Sequence, residues 1–470
     1  MKQFTCSTLA LFILFLHPCL YTQETTPPGA GEYLITHVSI VDVEGGKIQN
    51  DASIGVRNGQ IERITSETEE KEAHHCTIVD GKGLFVIPGL FDAHVHYYDP
   101  AVYGPMMIAH GVLFVRDMGN ATNQALALRQ GLKEGKIPGP EMITTGSILD
   151  GDPPTIPQIS IGCGTPEAGR EAVRKQVAAG VDEIKVYSGL KKEVFLAIVD
   201  EAGKQGIKAV GHMPEAVYIE DGAKAGLKSC EHLFGFGKVV AKLLGDSLYL
   251  GTQGMGTDVP YFLKLNRVKR EEFRAALKRV GATGMFVCPT LVVFKHGAHY
   301  KEIFSGDYPM LEYASPMMKG MWNALWGRQP ENPMVQKLLS PMEEVVKELS
   351  LSGIPLMVGT DLLSPGVIPG YSVHEEMELW QEAGIPPAEI LRSATIVPAT
   401  FMGVQNRLGK VAEGKAASFV LLRSNPLENI RNVDQIEAVF FRGRYFNRAD
   451  LDGLLAGVKK QCSGNAPQKQ

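Results

Sequence analysis

Pro88-Gly89-Leu90-Phe91-Asp92-Ala93-His94-Val95-His96 decides how this chain is read. An apolar run from Leu84 to Ile87 turns at Pro88-Gly89, and two histidines then stand one residue apart. Side chains of a strand repeat every two residues, so an extended 92–96 puts both imidazoles on one face, where they can hold a single metal ion. A helix would splay them apart.

On the N-terminal side, residues 33–65 alternate and turn, with Glu44-Gly45-Gly46 and Asn58-Gly59 between short apolar runs. These are hairpin signals of a small β-domain. On the C-terminal side, buried strand candidates alternate with helical segments. Eight strands are expected, at 90–96, 112–118, 142–149, 183–187, 208–212, 229–234, 285–291 and 356–362. A helix at 165–179 opens with Thr165-Pro166-Glu167 and stops at Gly180, and another at 192–205 stops at Gly206. Eight such units over about 300 residues suit a (β/α)8 TIM barrel. The long segments 235–284 and 295–353 read as elaborated loops and helices over the barrel mouth. Strand-and-turn style returns at 408–411, 418–422 and 438–444.

The expected class is therefore α/β: a (β/α)8 barrel over 87–405, with a small β-sandwich domain formed by residues 23–86 and 406–450, and a tail at 451–470. Residues 1–22 read as a secretory signal peptide, with Met1-Lys2 before the apolar Leu9 to Leu16, too short to span a bilayer. Leu16-His17-Pro18-Cys19 is a weak lipid-attachment signal on Cys19. An exported chain, periplasmic or extracellular, is expected. Cys76, Cys163, Cys230, Cys288 and Cys462 then remain, an odd and scattered set in which no disulfide framework is legible. With 44% hydrophobic residues, 21% charged residues and a net charge of -5, the chain is an ordinary globular one without a basic field for nucleic acid. The later sequence contains no transmembrane pattern, and a homo-oligomer is left open.

Side chains at the C-terminal ends of barrel strands converge on one site. Reading those ends in turn gives His94, His96, Lys185, His212, His232 and Asp361. Four imidazoles, a lysine and a carboxylate form a metal-ligand set with N and O donors. Any one of these histidines alone would more often be structural.

Here the chain resembles the amidohydrolase superfamily of metal-dependent hydrolases. The resemblance runs through Pro88 to His96, Val181-Asp182-Glu183-Ile184-Lys185, Gly211-His212, Glu231-His232, Gly359-Thr360-Asp361, Ala394-Thr395, Pro398-Ala399, Gly409-Lys410-Val411 and Gly414-Lys415-Ala416-Ala417. It is most similar to the imidazolonepropionase-like and Xaa-Pro dipeptidase-like (prolidase-type) branch. The resemblance implies that His94, His96 and Asp361 bind one metal and His212 and His232 a second, with Lys185 bridging them as a CO2-derived carbamate. An ordinary lysine, of pKa about 10.4, would add positive charge beside two divalent ions and lack an acceptor lone pair. The ligand types suit Zn, which is the expected metal, and also Mn, Fe, Co or Ni. Such a pair of ions activates water and polarises a carbonyl, with Asp361 as the catalytic acid and base.

Tyr97, Tyr98, Tyr187, Met213 and His296 follow strand ends and are the candidate substrate contacts. Arg116-Asp117 reads as an internal ion pair, and His374 as a helix-face or supporting residue. Three features depart from the prolidase-like pattern. Leu149-Asp150-Gly151-Asp152-Pro153-Pro154 carries no histidine where a Gly-Gly-His type loop is usual, Met213-Pro214 replaces a His-x-Tyr pattern, and Ser418 stands where Asp is usual. The first two weigh against dipeptidase activity. The leading expectation is an exported binuclear hydrolase of an amide, peptide or cyclic amide, acting on a small molecule or short peptide. The alternatives are a mononuclear deaminase or imidazolonepropionase-like hydrolase and, in another class, a non-catalytic metal- or ligand-binding barrel.

Overall fold

The computed structural model describes residues 31–66, 76–246, 256–325, 327 and 333–463. The expected signal peptide, Cys19 and the last residues of the tail lie outside them.

Alternation builds the first sheet. Strands β1 (Tyr33–Asp42), β2 (Lys47–Arg57), β3 (Gln60–Thr65), β4 (Thr77–Asp80) and β5 (Phe85–Pro88) come from the N-terminal part of the chain. Of three C-terminal strands at Phe419–Leu422, Ile436–Phe441 and Arg444–Phe446, the first pairs with β5 and each of the others with the one before it, so one eight-stranded sheet joins N- and C-terminal segments of the chain. The seam is antiparallel, with Val420 opposite Ile87 and Leu421 opposite Val86. Successive side chains point to opposite faces. Phe419 and Leu421 accordingly join a local core with Ile35, Ile54 and Phe440, while Val420 and Leu422 join the large core beneath the parallel strands. Hydrogen bonds from Ile61 N to Lys415 O and from Ala417 N to Gly59 O curl the far edge back over that local core.

Beyond Gly89 the strands turn parallel: β6 (Leu90–Val95), β7 (Val112–Asp117), β8 (Glu141–Thr144), β9 (Ile148–Asp150), β10 (Ser160–Gly162), β11 (Glu183–Val186), β12 (Lys208–Gly211), β13 (Ser229–Glu231) and β14 (Phe286–Cys288). All six residues of β6 and of β7 are buried, as strands covered on both faces must be. The expected helices form at Pro166–Ala179, where Thr165 Oγ1 accepts from Ala168 N, and at Lys192–Lys204. Gly180, at φ 92°, supplies the left-handed C-cap of the first.

One expectation needs correction. Among the described residues the ladders form a three-stranded arc (β6-β7-β8) and a six-stranded arc (β10-β9-β11-β12-β13-β14), not one closed barrel. The strand expected at 356–362 survives only as isolated bridges, Val287 with Leu356 and Val95 with Leu362. Asp361 at φ 55° and Leu363 at φ 145° break the extended geometry there. The arcs are nevertheless tied across this segment, by Met357 N to Val287 O on one side and by Ala93 N to Val358 O and His96 N to Leu362 O on the other. Asp182 N to Thr144 O spans the second gap. No helix among the described residues is long and apolar enough to cross a membrane.

Candidate metal centre

His94 and His96 leave β6 on the same side, as period two requires, with ring centroids 5.7 Å apart. His232, just beyond β13, lies 4.6 Å from the His94 ring and 4.8 Å from that of His212, which follows β12. Lys185 of β11 places Nζ 3.4 Å from His94 Nε2. Asp361 Oδ1 sits 3.4 Å from both His94 Nε2 and His96 Nε2. The six expected residues are thus brought together. Five of them are buried, while the Asp361 carboxylate keeps 21% of its surface.

Each imidazole is held by its outer nitrogen. His94 Nδ1 meets Glu231 Oε2 at 2.9 Å, and His96 Nδ1 meets Gly119 O at 2.7 Å. His212 Nδ1 faces Ser188 Oγ at 3.0 Å, and His232 Nδ1 faces Thr290 Oγ1 at 2.8 Å. Carboxylate and carbonyl oxygens only accept, so His94 and His96 carry their protons on Nδ1 and turn Nε2 lone pairs inward. Three acceptors, His94 Nε2, His96 Nε2 and Asp361 Oδ1, then face one another with no proton between them. His212 Nε2 is buried without a hydrogen-bond partner. This donor set fits a divalent cation.

Electrostatics agree with that reading. Burial, together with Lys185 and the other histidines, holds His94 and His212 well below the usual imidazole range, and burial lowers His232. Burial pushes Lys185 down to about 8, against the pull of Asp361 and Glu231. Three non-glycine residues here adopt left-handed backbone: His232 (φ 59°), Thr290 (φ 52°) and Asp361 (φ 55°). Strain of that kind collects at functional sites.

Several supports escaped the sequence reading. Arg116 is fully buried, with Nη2 2.9 Å from Glu231 Oε1 and Nε donating to Ala93 O at 2.7 Å, so it braces the carboxylate that braces His94. Its partners are Glu231 and, at 3.4 Å, Glu183, not the adjacent Asp117, which accepts from Tyr97 N and Thr144 Oγ1. Asp92 accepts from His94 N, Thr360 N and Thr360 Oγ1, tying β6 to the Asp361 turn. Ser364 Oγ holds Asp361 Oδ2 at 3.0 Å. The only signal for Glu231 was a carboxylate next to a strand-end histidine.

The candidate substrate residues divide. Tyr187 stacks on His212 at 4.1 Å, and Tyr98 OH donates to Gly119 O at 3.3 Å, the carbonyl that also takes His96. Tyr97 and Met213 are buried in the packing around the strands. One residue after His96, Tyr97 points to the other side and meets Tyr103 edge-on at 5.5 Å, fully buried. Met213 fills the space beneath Gly222 and Gly235, where an added Cβ would strike it. His296 lies on the helix Leu291–Ala298 and pairs through Nε2 with Glu375 Oε2 at 3.0 Å, so it belongs to a separate buried network with Lys295. After β9 the histidine-free loop is organised by Asp150, which accepts from Gly189 N and Thr155 N.

The sequence model of the amidohydrolase family matches residues 85–446, from β5 to the last strand. The chain belongs to that family. It is a hydrolase of carbon–nitrogen bonds, in a family that generally binds metal. Ochratoxinase of Aspergillus niger is 22% identical over 416 residues, covering 75% of this chain and 73% of that protein. Among solved structures, a bottromycin amidohydrolase superposes with TM-score 0.73 at 23% identity, covering 92% of this chain and 90% of that one. A Xaa-Pro dipeptidase with methionine in its active site gives TM-score 0.64 at 18% identity, covering 88% and 100%. These likenesses show a shared fold and imply a TIM barrel with an added domain, although the described strands form two arcs and not a closed barrel.

Proposed function

We propose that the chain is an exported, binuclear metal-dependent amidohydrolase that cleaves an amide, peptide or cyclic amide. The observation that carries the reading is the inward set of lone pairs. His94, His96 and Asp361 would hold one ion, His212 and His232 a second, and Lys185 would bridge them. In this reading the two parallel arcs are a (β/α)8 barrel spanning 87–405, and the curled sheet is the small β-sandwich of 23–86 and 406–450.

Bound ions, Zn being favoured by the imidazole-rich set, supply an activated water and polarise the scissile carbonyl. The chain's own residues do the rest. Asp361 takes the water's proton and returns it to the leaving nitrogen, and Ser364 fixes which carboxylate oxygen is free to do so. Lys185, near neutrality in its amine pKa, adds CO2 through Nζ with loss of a proton and becomes an anionic two-oxygen group. Tyr187, stacked on His212, and Tyr98, on the carbonyl that holds His96, are the contacts proposed for substrate.

The names of the relatives suggest the substrates to try. Metal analysis of the purified protein, followed by a screen of N-acyl amino acids, Xaa-Pro dipeptides and cyclic amides, tests the reading. Two ions per chain at this centre, counted as those lost in Lys185→Ala, and hydrolysis in at least one class are expected. A single ion at this centre with Lys185 unmodified would replace it by the mononuclear reading. Two ions with no C–N hydrolysis in any class would overturn the substrate assignment.

A further inference from the structure

A second group of histidines and a carboxylate lies at the opposite end of the parallel strands. His110 caps the helix Pro100–Ala109 and stands two residues before β7. His374 is on the helix Tyr371–Glu382, and Asp434 ends the 3-10 turn Ile430–Asp434 between the last sheet strands. One ligand atom from each lies within 4.8 Å of the other two. His110 Nδ1 is 3.9 Å from Asp434 Oδ1, and the two imidazole centroids are 5.7 Å apart. β7 starts here and ends at Asp117, beside His96, so six residues at about 3.3 Å each set the two groups about 20 Å apart. In barrels of this class the N-terminal ends of the strands serve stability and the C-terminal ends chemistry.

Hydrogen bonding fixes the tautomer of His374. Its Nε2 lies 2.9 Å from His110 O, a carbonyl that can only accept, so Nε2 carries the proton and Nδ1 is a lone pair. That Nδ1 is buried without a hydrogen-bond partner, in a residue only 4% exposed. His110 Nδ1 lies 3.9 Å from Asp434 Oδ1, too far for a hydrogen bond between them, so that ring nitrogen is not tied to the carboxylate. Gly370 permits the close approach: at φ 72°, any Cβ there would lie 2.9 Å from His110 Cβ and from Met106 O. Arg448 is the cation facing the group, and it is engaged by Asp452 at 2.8 Å and by Ile436 O at 2.8 Å.

We propose that His110, His374 and Asp434 bind a divalent cation of Zn2+ type that clips the lower end of the barrel to the turn leading into the strand Ile436–Phe441. Two imidazoles and a carboxylate with water as fourth ligand are a zinc donor set, with bonds of about 2.0–2.2 Å. Tetrahedral coordination sets ligand atoms about 3.3 Å apart. The contraction falls on Asp434, whose side chain is 52% exposed and free to swing inward. The site uses none of the residues assigned to the upper centre.

The test equilibrates full-length protein with Zn2+, removes unbound metal by desalting, and measures zinc per chain and Tm in the parent, His374→Gln and Asp434→Asn. Each variant is expected to retain one zinc fewer than the parent and to lose part of the zinc-dependent rise in Tm, with hydrolytic turnover unchanged. Equal zinc content in all three proteins overturns the proposal. So does a Tm loss that persists after chelation with zinc content unaltered, which would make His374 a packing residue only. Asp434 is half exposed, so Asp434→Asn decides the matter should His374→Gln fail to fold. Failure of the two-metal reading above would change the parent's total and leave the difference between parent and variant intact.

Discussion

The two ends of the strands hold similar side chains in different ways. At the upper end each histidine is gripped through its outer nitrogen by a separate partner, and one partner, Glu231, is itself gripped by Arg116. At the lower end His374 is oriented by a single carbonyl, and Asp434 reaches in from an exposed turn. The first arrangement leaves ligand atoms little freedom and places strain at His232 and Asp361, as catalysis through preorganised groups requires. The second tolerates movement, which suits a clip. On the roles proposed above, rigidity, more than ligand identity, separates the reactive centre from the structural one.

That contrast can be broken first at Asp361. Asp361→Asn should lower turnover by about 10^2–10^4-fold, the range for a lost general acid–base, while circular dichroism and the zinc difference at the lower end stay as in the parent. Wild-type-like turnover would remove Asp361 from the chemistry. Lys185→Ala should strip metal from the upper end only, with partial recovery of activity on adding short carboxylic acids. A variant that keeps its full metal content and shows no such recovery would contradict a bridging lysine. Glu231→Gln tests the supporting layer: loss of the carboxylate that orients His94 should weaken upper-end metal affinity by about 10–100-fold, read by competition with a chelator.

The smallest effect concerns the helix Tyr371–Glu382, which carries His374. Its Glu376 is fully buried and accepts from Val292 N at 2.7 Å and Trp380 Nε1 at 2.9 Å. Burial outweighs those bonds and pushes Glu376 up to about 7 from 4.5. A raised pKa means the folded state binds the proton more tightly. The contribution is therefore complete below about pH 4.5 and is lost as pH rises through 7. Denaturation at pH 5 and pH 7.5 should show that difference shrinking in Glu376→Gln by about 2 kcal/mol. An unchanged pH dependence would mean that Glu376 is ionised throughout.

Much of the upper centre was legible because it depends on local periodicity. His94-Val95-His96 needs only a strand to align two imidazoles, and Lys185, His212 and His232 each stand at or near the end of a short strand candidate. Asp361 was found by its place in the chain, although the segment around it is not a regular strand. What was not legible depends on long-range geometry. Nothing near Arg116 says that its partner is Glu231, 115 residues away, and Tyr97 looked like a pocket residue until the side on which it leaves β6 was known. The lower group was invisible for the same reason. His110, His374 and Asp434 follow no shared spacing and meet only because Gly370 lets one helix press on another.

The antiparallel seam between β5 and the strand Phe419–Leu422 has a kinetic consequence. β5 feeds through Pro88-Gly89 directly into His94 and His96, and Gly89 N donates to Ser418 O. The partner of that edge is therefore made about 330 residues later. A nascent chain must hold the β5 edge unpaired through most of its synthesis, and closing so long a loop is slow. Until then the bare edge offers a template for pairing with other chains. Folding is thereby gated by the arrival of the C-terminal strands, and truncation before Phe419 should yield aggregates in place of a smaller hydrolase.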